Sequence, residues 1–466
     1  MKTTRRTEGI SGLAAAGRAC RGSTARSAPC SAACAPGRGT AARAGIAVAL
    51  IALLGAPAHA QVRGTIVGPG ETAFPIAVEP LSGSGGDACT SRFVGTLARD
   101  LDLSGLFRVL DIAAGAAGGG SGTVDYGAWA STGARMLVSG TCALDGDDVT
   151  IEARLHDVAE QRQLGGKRYQ GGRRDVRRMA NRFADEIMRL ATGERGPFDT
   201  RVAFVSTRAG RAKEIFDMGF DGEDVRQLTK NGTINLSPSW SPDNRDILFT
   251  SFRDGRPKLY EMDLASGRQR VLLEGPGLTN GGRFSPSGDL IAASREESKG
   301  NSEIVVIDRE GAVVRRLAAH GGIDVSPAWS PDGQQVAFCS TRGGAPQIYA
   351  TDASGGPVRR ITSSGSYNTS PAWSPRGDKI AFTGRVGGRF QIFVAPASGG
   401  EPQQLTSSAG DNTDPAWSPD GRYLLFSSTR SGAAQLFMMD ARGVKQRQLI
   451  RGPGGDTSPA WSSWID

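Results

Sequence analysis

Six amide or carboxylate side chains recur at one position along the chain: Asn235, Asn280, Asp324, Asn368, Asn412 and Asp456, each four or five residues ahead of a Trp or Phe. Such groups can cap the turn from which a strand starts, by hydrogen-bonding local backbone. They can also ring the mouth of a channel and receive a loop of a partner. Chemistry of other kinds has little to draw on. Beyond residue 60 the histidines are His156 and His320, both read as surface or packing residues. H-E-x-x-H, Cys-x-x-Cys, P-loop and G-x-S-x-G patterns are absent from the sequence. Asp145-Gly-Asp-Asp148 lacks the spaced ligands and terminal Glu of a calcium loop and reads as a hairpin turn. No catalytic residue, metal or cofactor is expected. The enzymatic alternative is action on a glycan through scattered carboxylates; a scaffold with a small-ligand channel is a third reading.

The elements that must position the six groups follow from an internal repeat. Ser-Pro-Ala-Trp-Ser-Pro-Asp-Gly and its variants place aromatics at 240, 284, 329, 373, 417 and 461, a spacing of 44 or 45 residues. Within each unit an apolar run such as Val336-Ala-Phe338 comes next, then a polar turn, then Gln347-Ile-Tyr349, a Gly-rich turn and Arg360-Ile-Thr362. Four short strands per unit of this length make a β-propeller blade. The last aromatic strand has no partners after it. The three strands it lacks stand before the first aromatic copy, at Arg201–Ser206, Glu214–Met218 and Arg226–Thr229. The fold class is therefore mainly β: a six-bladed β-propeller over 198–466, closed by its C-terminal strand and preceded by a small α/β domain. Closure removes open sheet edges. The recurring Trp is read as packing between blades.

Residues 61–197 lack the period. Strands are expected at Val62–Val67, Ile76–Val78, Met136–Val138 and Val149–Leu155. Helices are expected where Phe93, Leu97 and Leu101, and Val176, Met179, Phe183, Ile187 and Leu190, share a face. Ala113–Gly122 reads as a Gly/Ala-rich loop. Cys89 and Cys142 both fall here; a disulfide between them and two free thiols are both compatible with the sequence, which gives no Cα separation. Cys339 sits in an apolar run and reads as a buried thiol.

The formal charge of +8 suggests a basic protein, but eight basic residues against one acid within residues 1–60 carry +7 of it. The rest of the chain is nearly neutral, which argues against binding nucleic acid through net charge. The basic segment precedes the apolar run Ile46–Leu54, too short to span a bilayer, and then Ala58-His-Ala60. This is the pattern of a secretory signal peptide over 1–60, cleaved after Ala60. The mature chain then begins at Gln61 and is expected in an oxidising compartment outside the cytoplasm, not integral to a membrane.

With the tandem Ser-Pro-Ala-Trp-Ser-Pro-Asp-Gly, the Gln-Ile-Tyr/Phe and Arg-Gln/Arg-Leu/Ile-Thr elements and a domain starting Gln61-Val-Arg63, the sequence resembles the TolB family of the Tol-Pal system. The resemblance covers essentially all of the mature chain. It implies a non-enzymatic periplasmic monomer. A propeller mouth would bind Pal, the peptidoglycan-associated lipoprotein, and an N-terminal arm would dock TolA, an inner-membrane-anchored protein. Here that arm is Gln61, Val62, Arg63, Gly64, Thr65 and Ile66. The system supports outer-membrane invagination at division and envelope integrity. The long leader, the Gly/Ala-rich loop and Phe284 in place of Trp depart from the family pattern.

Overall fold

The computed structural model describes residues 73–84, 86–111, 124–298 and 300–465, with the side chains of 86–88 left aside. The expected signal segment with Ala58 and Ala60, the arm 61–66 and the loop 113–122 lie outside these residues.

The first described domain is one mixed sheet covered by helices. Its strands are β1 (Phe74–Val78), β2 (Phe107–Val109), β3 (Met136–Asp145), β4 (Asp148–Asp157) and β5 (Arg162–Gly172), in the order β2-β1-β3-β4-β5. β1 is parallel to β2 and β3; β3, β4 and β5 form an antiparallel meander. The turn Asp145–Asp148 is a two-residue hairpin with Gly146 at φ 62°. A positive φ at a hairpin's central position is what glycine allows at no steric cost. The helices are α1 (Gly86–Ser104), α2 (Tyr126–Ser131) and α3 (Val176–Thr192). Alternation along β1 divides its side chains. Ile76 and Val78 face the core with Phe93, Leu97, Phe183 and Ile187 of α1 and α3, and Ala77 joins Trp129 and Leu137 under α2. α3 ends where Gly193 adopts a left-handed conformation and its N–H returns to Arg189 O. Cys89 of α1 and Cys142 of β3 are joined by a disulfide, which ties the helix to the sheet.

Asp100 of α1 is wholly buried, and neither carboxylate oxygen has a hydrogen-bond partner among the described residues. Burial, with Asp221 adding to it, raises its carboxyl well above the ordinary range, against the pull of Arg177 and Arg99. A carboxyl that holds its proton more tightly when folded stabilises the fold fully below its unfolded pKa, and that contribution is lost as pH rises through the folded pKa. Asp100→Asn is therefore expected to raise stability near neutral pH, on the order of 1–3 kcal/mol. It should also flatten the gain in melting temperature expected of the wild type on mild acidification. Thermal melts at two pH values check both; an Asn variant less stable at neutral pH would contradict the assignment.

From Arg201 the chain forms six four-stranded antiparallel sheets around an axis. The first blade pairs Asp456–Trp461 with Arg201–Ser206, so the C-terminal strand closes the ring. The other innermost strands are Asn235–Trp240, Thr279–Phe284, Asp324–Trp329, Asn368–Trp373 and Asn412–Trp417, opening blades two to six. Apolar side chains alternate with the pleat and pack between sheets: Ile291, Ala293, Val305 and Ile307 of blade three meet Leu248 and Leu259 of blade two. The Trp rings stitch neighbours together. The indoles of Trp240, Trp329 and Trp417 donate to the carbonyls of Ala460, Arg283 and Ala372 on the preceding blade, at 2.9–3.0 Å.

The α/β domain rests on the propeller end where these aromatics lie. Tyr423 donates to Ser104 O (2.9 Å), Arg447 to Asp102 (2.8 Å), and Glu194 accepts from Arg376 and Arg422 (2.7 Å each). The opposite mouth, where the innermost strands begin, faces away from this contact.

Candidate functional site

The six Asn and Asp residues stand at the start of the innermost strands, one per blade, with Asn280 second in its strand. Five are buried and Asn280 is half-buried. The structure brings them together as a ring of positions, but the five buried side chains turn into the blades, and Asn280 accepts from Thr250 of the preceding blade (3.1 Å) where it lines the axis.

Three of them join neighbouring sheets. Asn235 donates to Glu214 (2.9 Å), Asn368 to Gln347 (2.7 Å) and Asn412 to Gln391 (2.8 Å), each acceptor being on the third strand of the preceding blade. The same acceptors take the hydroxyls of Thr229, Thr362 and Thr406 at 2.5–2.7 Å. This explains why Gln-Ile-Tyr/Phe and Leu/Ile-Thr recur with the Asn: the three elements supply one buried hydrogen-bond set. Each amide satisfies groups that would otherwise be desolvated without a partner.

The two acids work within a blade. Asp456 accepts from Ser206 (2.6 Å) and Arg208 (2.7 Å), and Asp324 accepts from Arg342 (2.8 Å). Burial raises the Asp324 carboxyl, with Ser340 and Arg342 opposing that shift. Arg430 repeats the arrangement with Asn412 Oδ1 (2.8 Å). All three guanidiniums lie over a stacked pair of cross-strand rings: Arg208 over Phe204 and Phe216, Arg342 over Phe338 and Tyr349, Arg430 over Phe426 and Phe437. Sequence reasoning does not single out these arginines. Their signal is the repeated Ser-Thr-Arg, which by itself reads as a turn.

What the mouth offers to the outside stands one or two residues earlier. Ile234, Leu278, Ile323 and Tyr367, just before the ring positions of blades two to five, are 43, 51, 42 and 36% exposed. They form an apolar arc over consecutive blades on the end away from the α/β domain. The buried ring below them fixes the strand starts from which they project. At the other end, the innermost aromatics and Trp464, with their neighbouring prolines, line a bowl of ≈ 470 Å³. Among the described residues no cluster of His, Cys, Asp and Glu could hold a metal ion, and no helix is long and apolar enough to cross a membrane.

Comparison with known proteins places the two domains in one family. Residues 188–465 match the family of the TolB beta propeller domain, and residues 63–164 match the TolB amino-terminal domain. The chain is 38% identical over 264 residues to a protein TolB homolog of Chlorobium chlorochromatii, covering 56% of this chain and 59% of that protein. It is 42% identical over 208 residues to the Tol-Pal system protein TolB of Geobacter sulfurreducens, covering 43 and 48%. The matched stretches thus span about half the length of these relatives. The crystal structure of TolB from Acinetobacter baumannii superposes with a TM-score of 0.76 at 28% identity, over 84% of this chain and 97% of that one. A propeller family match over more than half of the residues, joined to the amino-terminal domain and to a solved structure sharing both parts, establishes that this chain belongs to the TolB family.

Proposed function

We propose that this chain is a periplasmic, non-enzymatic component of a Tol-Pal system. It links a Pal-like outer-membrane lipoprotein at the propeller mouth to a TolA-like inner-membrane-anchored protein at the N-terminal arm. The observation that carries the reading is the exposed arc of Ile234, Leu278, Ile323 and Tyr367 over the buried ring of Asn235, Asn280, Asp324, Asn368, Asn412 and Asp456. An exposed apolar patch rimmed by polar groups is the usual mark of a protein-binding surface. In this reading the six ring residues hold the mouth in shape, and the arc touches the lipoprotein. Relatives named as Tol-Pal system proteins support the choice of partner.

The leader 1–60 is a signal peptide cleaved after Ala60, and the mature chain begins with the arm 61–66. The mature chain is a monomer outside its complexes. An extended arm of this kind binds by pairing with a sheet edge. Occupation of the mouth shifts the arm only to the extent that the lipoprotein prefers one arm state. Deleting residues 61–66 from the mature chain is expected to abolish binding of the TolA-like protein and spare that of the Pal-like lipoprotein. The role served is outer-membrane invagination at division and envelope integrity.

A further inference from the structure

The propeller axis holds a second feature that the mouth does not use. The third residue of each innermost strand lies at the axis in a left-handed conformation: Ser237, Gly281, Ser326, Ser370, Asp414 and Ser458, at φ between 50° and 69°. Each sits where the innermost strand slips register against its neighbour, a bulge that turns the backbone toward the axis. The six positions surround a cavity of ≈ 80 Å³.

Beside Gly281 in place of Ser, the repeat breaks at two positions lining this cavity, in blades that stand opposite each other. Blade six has Asp414 where four blades have Ser. Blade three has Arg283 where the neighbouring blades have Ser239 and Ala328. Arg283 and Asp414 both line the cavity, yet they make no ion pair with each other. The Arg283 guanidinium donates only to backbone carbonyls, Gly282 O at 3.0 Å and Ser237 O at 3.4 Å. The Asp414 carboxylate accepts from Ser370 (3.1 Å) and Ser458 (3.3 Å). Burial lowers the Arg283 pKa and raises that of Asp414, each charge partly offsetting the effect on the other. The hydroxyls of Ser237 and Ser326, on either side of Arg283, have no protein partner among the described residues. The cavity is therefore polarised, with donors on blades two to four and an acceptor on blade six.

An anion alone on Arg283 would leave the Asp414 charge uncompensated, and a cation alone on Asp414 would leave Arg283 so. A ligand carrying both charges answers both halves. The volume is about half that of the roughly 150 Å³ cavity that accepts benzene, so only a few heavy atoms fit. We propose that the axial cavity binds a small zwitterion of glycine's size, its carboxylate on Arg283, Ser237 and Ser326 and its ammonium on Asp414. Arg283, Pro371, Pro415 and Pro459 line both this cavity and the aromatic bowl, which makes the bowl the side from which the ligand would enter.

The test is calorimetric titration of the mature chain with glycine, acetate and methylammonium. Arg283→Ala and Asp414→Ser install residues that other blades carry at these positions. Glycine is expected to bind saturably at millimolar concentration, more tightly than either singly charged probe. Each variant should weaken it by about tenfold or more, the scale of a lost charge-assisted hydrogen bond. Absence of saturable binding overturns the proposal, as does acetate binding as tightly as glycine or binding that survives both substitutions. Glycine soaked into crystals of the wild type gives a second readout that needs no variant. Density between Arg283 and Asp414 supports the site, and an empty cavity refutes it.

Discussion

Deleting residues 456–466 is expected to destroy the propeller as a cooperative unit. The strand Asp456–Trp461 pairs only with Arg201–Ser206, so its loss opens the ring at blade one and bares a sheet edge. Three largely buried groups lose partners at once. Arg208 loses the Asp456 carboxylate, the Trp240 indole loses Ala460 O, and Phe220 loses the Trp461 ring at 6.0 Å. A narrower variant isolates the first of these. Asp456 is wholly buried and the Arg208 side chain only 15% exposed, so Asp456→Ala leaves a buried cation without its counter-charge. Breaking such a pair costs about 3–5 kcal/mol. Asp456→Asn should cost less, because Asn412 already accepts from Arg430 in the same geometry in blade six. Denaturant unfolding of the three variants checks the order. A truncated chain that still melts sharply near the wild-type temperature would show that closure does not hold the ring.

The second large effect lies in the α/β domain. The Cys89–Cys142 bond closes a loop of 53 residues. In the chain-entropy description a cross-link of this span stabilises by about 4 kcal/mol, less whatever structure the reduced chain retains. The double variant Cys89→Ser, Cys142→Ser also places two hydroxyls in buried apolar positions, 5 and 1% exposed. Both contributions act in one direction. Melting is therefore expected to become biphasic, the domain of residues 73–192 unfolding first and the propeller later. Reductant should reproduce this in the wild type. Cys339 does not confuse the readout, because it is buried and burial pushes its thiol up to about 11. Unchanged melting on reduction would contradict the assignment.

Much of this architecture could be read from residue order because the propeller repeats its side chains as well as its shape. The six Trp or Phe positions, the four strands per unit and the closing strand all follow from one spacing. In the first domain, the stripe on α3 and the alternation in β4 were equally legible. β5 was not. Arg162–Gly172 carries four glycines and a largely exposed, charged set of side chains, with no apolar alternation. It is a strand because β4 offers ten residues of pairing, and because Gly165 leaves room for α3: a Cβ there would come within 2.9 Å of Leu190. The candidate site divides in the same way. Spacing placed the Asn and Asp ring around one mouth. It could not show that the side chains turn inward, since that depends on Glu214, Gln347 and Gln391 of adjoining blades. The arc of Ile234, Leu278, Ile323 and Tyr367 was invisible for a related reason. Each residue is a single apolar side chain in a polar turn, and the four come to one end of the propeller only when the blades are arranged around the axis.

The most direct test of the proposed role is equilibrium titration of two proteins, the mature chain and the chain lacking residues 61–66. Each is titrated with the soluble domain of a Pal-like lipoprotein and with that of a TolA-like protein. The expected result is that the mature chain binds both, and that the shortened chain binds the lipoprotein unchanged and the TolA-like domain not at all. Loss of both interactions, or of neither, would contradict the division between arm and mouth. Turnover of an envelope glycan with neither protein bound would replace this role with an enzymatic one.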